Sequence, residues 1–124
     1  MVGITAGWRF LILVFYFLFI CVLFFLPGDA FPPTAPLFEI PHFDKLVHAG
    51  IFSILTFLLC WTVSASIPKT IAIIFVSAVF YGILVEVIQD QLVINRSFDW
   101  TDWAADIVGS IAGTVGWLAG YAKK

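Results

Sequence analysis

Residues 8–26 read WRFLILVFYFLFICVLFFL, and this stretch decides the class of fold. Arg9 is its only charged residue, and Pro27-Gly28 follows it directly. About 20 apolar residues are enough for a helix to cross the roughly 30 Å hydrocarbon layer of a membrane. The stretch therefore predicts a membrane-spanning helix. A signal peptide is disfavoured because the apolar region of such peptides is shorter, about 7–15 residues.

Three further stretches of similar length follow, at residues 46–65, 70–88 and 103–121. Each contains one ionisable interruption: His48, Glu86 and Asp106, respectively. None has the alternating pattern of a lipid-facing barrel strand, and four strands would leave open edges in lipid. We therefore predict an all-α, polytopic integral membrane protein. Residues 1–124 would form a single domain built as a bundle of four transmembrane helices.

The composition excludes several classes of protein. Hydrophobic residues make up 62% of the 124 residues and charged residues 11%, against about 25% charged in soluble domains. A soluble chain of this composition would lack the polar surface to cover its core. The net charge is −2 and no basic block occurs, so the electrostatic footprint of a nucleic-acid-binding protein is missing.

The distribution of Lys and Arg predicts the orientation in the membrane, because positive charge accumulates on the cytoplasmic side. Four of the six basic residues fall on one side of the predicted bundle: Arg9, Lys69, Lys123 and Lys124. Lys45 and Arg96 fall on the other side. We therefore expect a multi-pass protein of the cell (inner) membrane with both termini cytoplasmic.

The ionisable residues of three helices fall at one depth. His48, Glu86 and Asp106 each lie about one helical turn, roughly 5 Å, inside the outer end of a predicted span. Charged groups inside a membrane are costly and usually face the bundle interior in pairs. The pattern predicts one polar pocket that opens toward the outer leaflet. Its predicted members are Asp44, Lys45, His48, Glu86, Gln89, Arg96, Asp99, Asp102 and Asp106.

A stripe of small residues continues from the last two aspartates. It contains Gly109, Gly113, Gly116 and Gly120, at helical spacing. Such small-xxx-small patterns allow helix backbones to approach closely. On the third helix Gly82 stands one turn before Glu86. We therefore expect all five glycines to serve helix packing and the carboxylates to point into the bundle.

The order and spacing of these residues resemble the VanZ-like family over about residues 44–116. The motifs are Asp44-Lys45-xx-His48, Gly82-xxx-Glu86-xx-Gln89 and Arg96-xx-Asp99-xx-Asp102-xxx-Asp106-xx-Gly109-xxx-Gly113. Two positions depart from the family pattern: Asp106 stands where Asn is more common, and Phe52 where Tyr is common. The resemblance implies a membrane location and a cell-envelope role. The founding member of the family is an accessory factor that gives low-level protection against teicoplanin.

The predicted pocket has several chemical interpretations. His48, Glu86 and Asp106 are candidate ligands of a divalent cation, because carboxylates and imidazole bind such ions. His48 and Glu86 are also candidates for general acid and base catalysis. Alternatively, Lys45 and Arg96 neutralise the carboxylates in an ion-pair network. Arg96 is a candidate anion anchor through its planar guanidinium, and Asp99 is a candidate N-cap of the fourth helix.

Three functions remain open at this point. The leading hypothesis is a VanZ-like envelope protein that binds a lipid-linked or amphiphilic head group, such as an envelope precursor or a lipoglycopeptide. In it, Lys45 and Arg96 supply positive charge to the pocket. The second is a metal-assisted lipid phosphate or glycolipid hydrolase that uses the same residues. The third is a structural or assembly subunit of a membrane complex.

Overall fold

The computed structural model describes residues 2–27 and 42–121, with side chains from residue 5 onward. Within these residues the chain forms four α-helices and no strand, which confirms the all-α prediction. The helices are α1 (Val2–Phe25), α2 (Phe43–Val63), α3 (Pro68–Leu92) and α4 (Trp100–Gly120). Lys123, Lys124 and most of the predicted first loop lie outside the described residues.

Local sequence signals explain where several helices begin and end. α2 ends at Val63. The next residue, Ser64, adopts a left-handed conformation (φ 51°) and donates its backbone N–H to Trp61 O at 3.2 Å. α3 begins with Pro68, a residue suited to the first helical position because no N–H is needed there. The Asp99 side chain caps α4 by accepting a hydrogen bond from the Thr101 N–H at 2.9 Å. Asp44 lies within the first turn of α2, and His42 occupies the cap position.

α3 is longer than the sequence predicts. The apolar stretch of the sequence ends at residue 88, but the helix continues to Leu92. The polarity of Gln89, Asp90 and Gln91 does not end a helix, because none of these residues is a strong helix breaker. The chain leaves the helix at Val93, which is extended, and turns at Asn95 (φ 60°).

Three of the helices are long and apolar enough to cross a membrane: Thr5–Phe25 of α1, and all of α2 and α3. α4 has 21 residues but is less apolar, since it contains Asp102 and Asp106. Many large apolar side chains of the described residues are exposed, among them Phe15 at 69% and Phe80 at 65%. In water such a surface would be unfavourable.

The helices alternate in direction, so that α1 and α3 run one way and α2 and α4 the other. Tyr16 of α1 donates a hydrogen bond to Ile51 O of α2 at 2.6 Å, halfway along both helices. One apolar cluster contains Phe24, Phe52 and Val85 and lies toward the end where α1 finishes. A second contains Cys60, Ile71 and Trp117 at the opposite end. The buried ionisable residues gather at the first end, whereas the buried hydroxyl groups of Thr56 and Ser110 lie between the two clusters and donate to helix carbonyl groups.

α2 and α4 are in backbone contact through two glycines. A methyl group added at Gly109 would overlap the carbonyl group of Ala49, and one at Gly113 would overlap Ser53 O and Thr56 Oγ1. These two positions therefore admit no side chain. No atom of a neighbouring helix lies within 4 Å of a methyl group built at Gly116 or Gly120, so among the described residues these two glycines make no comparable close contact. The Phe57 and Trp117 rings, 5.8 Å apart, occupy the space between α2 and α4 at this level.

Candidate functional site

Three buried ionisable side chains meet where α2, α3 and α4 approach each other. His48 is 6% exposed, and Glu86 and Asp106 are completely buried. One ligand atom from each of the three lies within 4.8 Å of the other two. We call this group the inner cluster. The three residues lie five or six residues inside their helix ends, about 8–9 Å, which is deeper than the single turn we predicted because each helix is longer than predicted.

The hydrogen bonds of the inner cluster leave two oxygens without a partner. His48 Nδ1 and Asp106 Oδ1 are hydrogen-bonded at 2.8 Å. The backbone N–H of Asp99 donates to Glu86 Oε2 at 3.1 Å. Glu86 Oε1 and Asp106 Oδ2 are buried and have no hydrogen-bond partner among the described residues. A buried carboxylate oxygen without a partner is unfavourable unless something else neutralises it.

Apolar and small groups enclose the inner cluster. The rings of Phe24 and His48 lie 5.3 Å apart, so the end of α1 covers the imidazole. Gly82 of α3 makes room for Asp106, because a methyl group there would lie 3.0 Å from Asp106 Oδ2. Trp103 packs beside Gly82, and its indole N–H donates to Val79 O at 3.1 Å. These neighbours hold the carboxylates away from solvent.

Lys45 is the centre of a second group, which we call the outer cluster. Its ammonium lies 2.5 Å from Asp44 Oδ2, 2.8 Å from Asp99 Oδ2 and 2.8 Å from Asp102 Oδ1. The hydrogen bond from Lys45 holds the pKa of Asp99 well below its usual range. The side chains of Asp44 and Asp99 are 58% and 39% exposed, so this cluster faces outward. Lys45 therefore neutralises carboxylates here, as in the predicted ion-pair network.

Asp102 connects the two clusters. One of its oxygens contacts Lys45, and the other lies 3.7 Å from His48 Nε2. Its side chain is 15% exposed, between the exposed outer carboxylates and the buried inner ones. A continuous polar path therefore runs from the exposed Asp44 to the buried Asp106.

Gln89 and Arg96, also predicted to line the pocket, bind the end of α1. Gln89 donates through Nε2 to Phe24 O at 2.7 Å, and Arg96 donates through Nε to Leu26 O at 3.3 Å. The last carbonyl groups of a helix lack partners within the helix, and side-chain donors can satisfy them. Gln89 thus attaches the end of α1 to α3, and Arg96 attaches it to the loop between α3 and α4.

The sequence did not reveal two further groups that contribute to the site, the Phe24 ring and the Asp99 backbone N–H. Phe24 covers His48, but nothing in the sequence distinguishes it from the other thirteen phenylalanines. The Asp99 backbone N–H binds Glu86, and this contact depends on the path of the α3–α4 loop. The capping role of Asp99 was predictable, whereas its backbone contact across the bundle was not.

The residues of both clusters form an acid-rich site. Five carboxylates (Asp44, Glu86, Asp99, Asp102 and Asp106) meet two basic groups, Lys45 and His48. Ionised carboxylates only accept hydrogen bonds. The site therefore suits a ligand that carries hydroxyl or ammonium donors, or a cation.

Comparison with known proteins finds no matching family model, no matching curated protein and no matching solved structure. We therefore infer function from the geometry of the two clusters.

Proposed function

We propose that the chain is a four-span, VanZ-like protein of the cell membrane whose outer cluster binds the polar head group of an amphiphile. The observation that carries this proposal is the meeting of five carboxylates with Lys45 and His48 at one end of an apolar bundle. Ionisable groups inside a membrane are expensive, and they mark functional sites by default.

The distribution of side chains on α4 supports its assignment as the fourth span. Asp106 and Ser110 are buried against the other helices, whereas Val108, Ile111 and Val115 are 61%, 48% and 55% exposed. Polar groups inside and apolar groups outside are the arrangement expected for a helix in lipid. Its 21 residues extend about 31 Å, close to the thickness of the hydrocarbon layer.

The positions of the basic side chains support cytoplasmic termini. Arg9 lies at the end of the bundle opposite the two clusters, where it donates to Ser64 Oγ at 2.8 Å and to Trp61 O at 3.1 Å. Lys69 lies in the first turn of α3 at the same end. Lys45 and Arg96 lie at the other end. The sequence adds Lys123 and Lys124 just after α4, so four basic residues stand against two. The positive-inside rule then gives cytoplasmic termini and an outward-facing site.

The ligand would be an amphiphile whose head group donates hydrogen bonds. Lys45 is engaged by carboxylates and Arg96 donates to Leu26 O, so we assign neither side chain to a phosphate of the ligand. A glycan or amine head group at the membrane surface would meet the exposed oxygens of Asp44 and Asp99, while its acyl chain remained in the lipid. A lipid-linked envelope precursor or an acylated glycopeptide has this chemistry.

Drug susceptibility tests the envelope role. We expect expression of the chain in a susceptible Gram-positive bacterium to raise the minimum inhibitory concentration of teicoplanin, which carries an acyl chain, more than that of vancomycin, which does not. The double variant Asp44→Asn/Asp102→Asn should lose this difference. Asp90→Asn is the matched control, because Asp90 contacts Gln91 and Phe98 outside both clusters. Equal protection by wild type and double variant, at equal membrane abundance, would contradict the proposal.

One observation favours a second candidate, hydrolysis of a lipid phosphate. Asp106 orients the His48 imidazole through a 2.8 Å hydrogen bond, the arrangement of a general base. The imidazole would take a proton from water as the water oxygen bonds to phosphorus. The bond from phosphorus to the lipid oxygen would break, and the proton would pass to the leaving alcohol.

Phosphate release from a lipid monophosphate by the purified protein tests this second candidate. Release that disappears in folded His48→Ala and Glu86→Gln proteins, but not in Asp90→Asn, would establish hydrolysis and contradict a function in binding alone. No release by wild-type protein would reject hydrolysis.

A further inference from the structure

The two clusters differ in one respect that matters for ion binding. In the outer cluster the Lys45 ammonium sits among three carboxylates, at 2.5–2.8 Å from each. That group already contains its cation. In the inner cluster, the described contacts provide no ammonium or guanidinium to Glu86 or Asp106, and one oxygen of each carboxylate lacks a partner.

The inner cluster has the donor set of a metal site. One imidazole nitrogen and two carboxylate oxygens, from three different helices, lie within 4.8 Å of one another. Ligands about 2.0–2.2 Å from a shared ion stand roughly 3–4 Å apart, so modest side-chain movement would close the set around an ion. We propose that His48, Glu86 and Asp106 bind a divalent transition-metal ion, with Mn²⁺ or Zn²⁺ matching the mixed nitrogen and oxygen donors.

Charge supports a divalent ion at this position. A protonated His48 neutralises only one of the two buried carboxylates, and removing unpaired charge from water is costly. A divalent ion neutralises both while His48 coordinates as the neutral imidazole. The unpartnered Glu86 Oε1 and Asp106 Oδ2 would then have a positive partner.

The surroundings supply further features of a metal site. Metal binding would release one proton to solvent, because the ion would replace the proton in the 2.8 Å hydrogen bond between His48 Nδ1 and Asp106 Oδ1. The Asp99 backbone N–H orients Glu86 from outside the donor set. Asp102, 3.7 Å from His48 Nε2 and partly exposed, lies on the entry path from the outer cluster.

Mn²⁺ binding to the purified full chain in lipid nanodiscs tests the inference directly. After removal of metals with a chelator, titration followed by electron paramagnetic resonance should show about one bound ion per chain, displaced by Zn²⁺. Pulsed measurements should detect a coupled nitrogen from His48. Glu86→Gln and Asp106→Asn should each weaken binding by about tenfold or more, whereas Asp90→Asn should bind as wild type does.

Other outcomes would overturn the inference. Absence of stoichiometric Mn²⁺ and Zn²⁺ binding by folded wild-type protein is one, and it requires no variant. Binding without nitrogen coupling is another. Binding that weakens in Asp44→Asn and Asp99→Asn but not in Glu86→Gln would place the ion in the outer cluster instead. Neither an envelope precursor nor a glycopeptide is added in this titration, so its result is independent of the head-group proposal.

Discussion

The substitution Gly109→Ala tests the contact between α2 and α4. Its added methyl carbon would lie 2.8 Å from both Cα and the carbonyl carbon of Ala49, and still closer to the carbonyl oxygen. Two carbon atoms are most favourably separated by about 3.5 Å or more, so α2 and α4 would have to separate by at least about 0.7 Å. The obstructing atoms are backbone, which no side-chain rotation can relieve.

The expected cost follows from this overlap. Overpacking a dense core costs about 1–3 kcal/mol and sometimes more, and we expect Gly109→Ala to reach the upper part of that range. Thermal or denaturant unfolding of the purified protein in detergent measures the cost. Gly116→Ala is the matched control, since it adds the same methyl group to the same glycine stripe where nothing lies within 4 Å. Equal stability of the two variants would refute the assigned α2–α4 contact.

Three further predictions concern charge and core packing. Asp99→Asn keeps an oxygen to cap α4 but loses the charge that pairs with Lys45. Because the pKa of Asp99 is lowered in the folded protein, its stabilisation is present above the unfolded-state pKa of about 4 and is lost as pH falls through the folded value. The wild-type advantage in unfolding free energy should therefore shrink below about pH 4, and an advantage that stays constant down to pH 2 would contradict this. Asp106→Asn should leave the metal-free protein as stable as wild type or more so, as it removes a buried charge; a lower melting temperature after chelation would contradict this. Phe52→Ala should cost about 3–5 kcal/mol, because Phe52 is fully buried between Phe24 and Tyr81, whereas Phe19→Ala, at a 58% exposed position, should cost far less in the same unfolding assay.

Length and polarity were sufficient to predict the four helices. Each apolar stretch is bounded by polar residues or by Pro and Gly, so the approximate limits of the helices can be read from the sequence. The helix ends were less predictable. α3 continues through Gln89, whose side chain is buried and donates to Phe24 O of α1, a partner 65 residues away in sequence.

The inner cluster was predictable because ionisable residues are rare in this chain. With only 11% charged residues, His48, Glu86 and Asp106 stand out in apolar surroundings. The sequence did not predict which carboxylates pair with Lys45. Lys45 bonds Asp99 across 54 residues, and this choice depends on how the loop before α4 returns over α2.

The glycine stripe shows the limit of a periodicity argument. Gly109, Gly113, Gly116 and Gly120 share a helix face, yet only the first two contact α2. Periodicity identifies the face but not how far along it two helices stay in contact. The length of that contact depends on the large side chains between the two helices, here Phe57 of α2 and Trp117 of α4.

The close contact of α2 and α4 also determines the geometry of the inner cluster. His48 precedes Ala49 in the chain, and Asp106 lies one turn before Gly109, the residue against which Ala49 packs. The contact at Gly109 therefore places His48 beside Asp106 at hydrogen-bonding distance. If α2 and α4 moved apart by the 0.7 Å or so that Gly109→Ala requires, the 2.8 Å His48–Asp106 bond would lengthen beyond the normal range. Gly109→Ala should consequently weaken Mn²⁺ binding even though Gly109 provides no ligand, while Gly116→Ala should leave it unchanged.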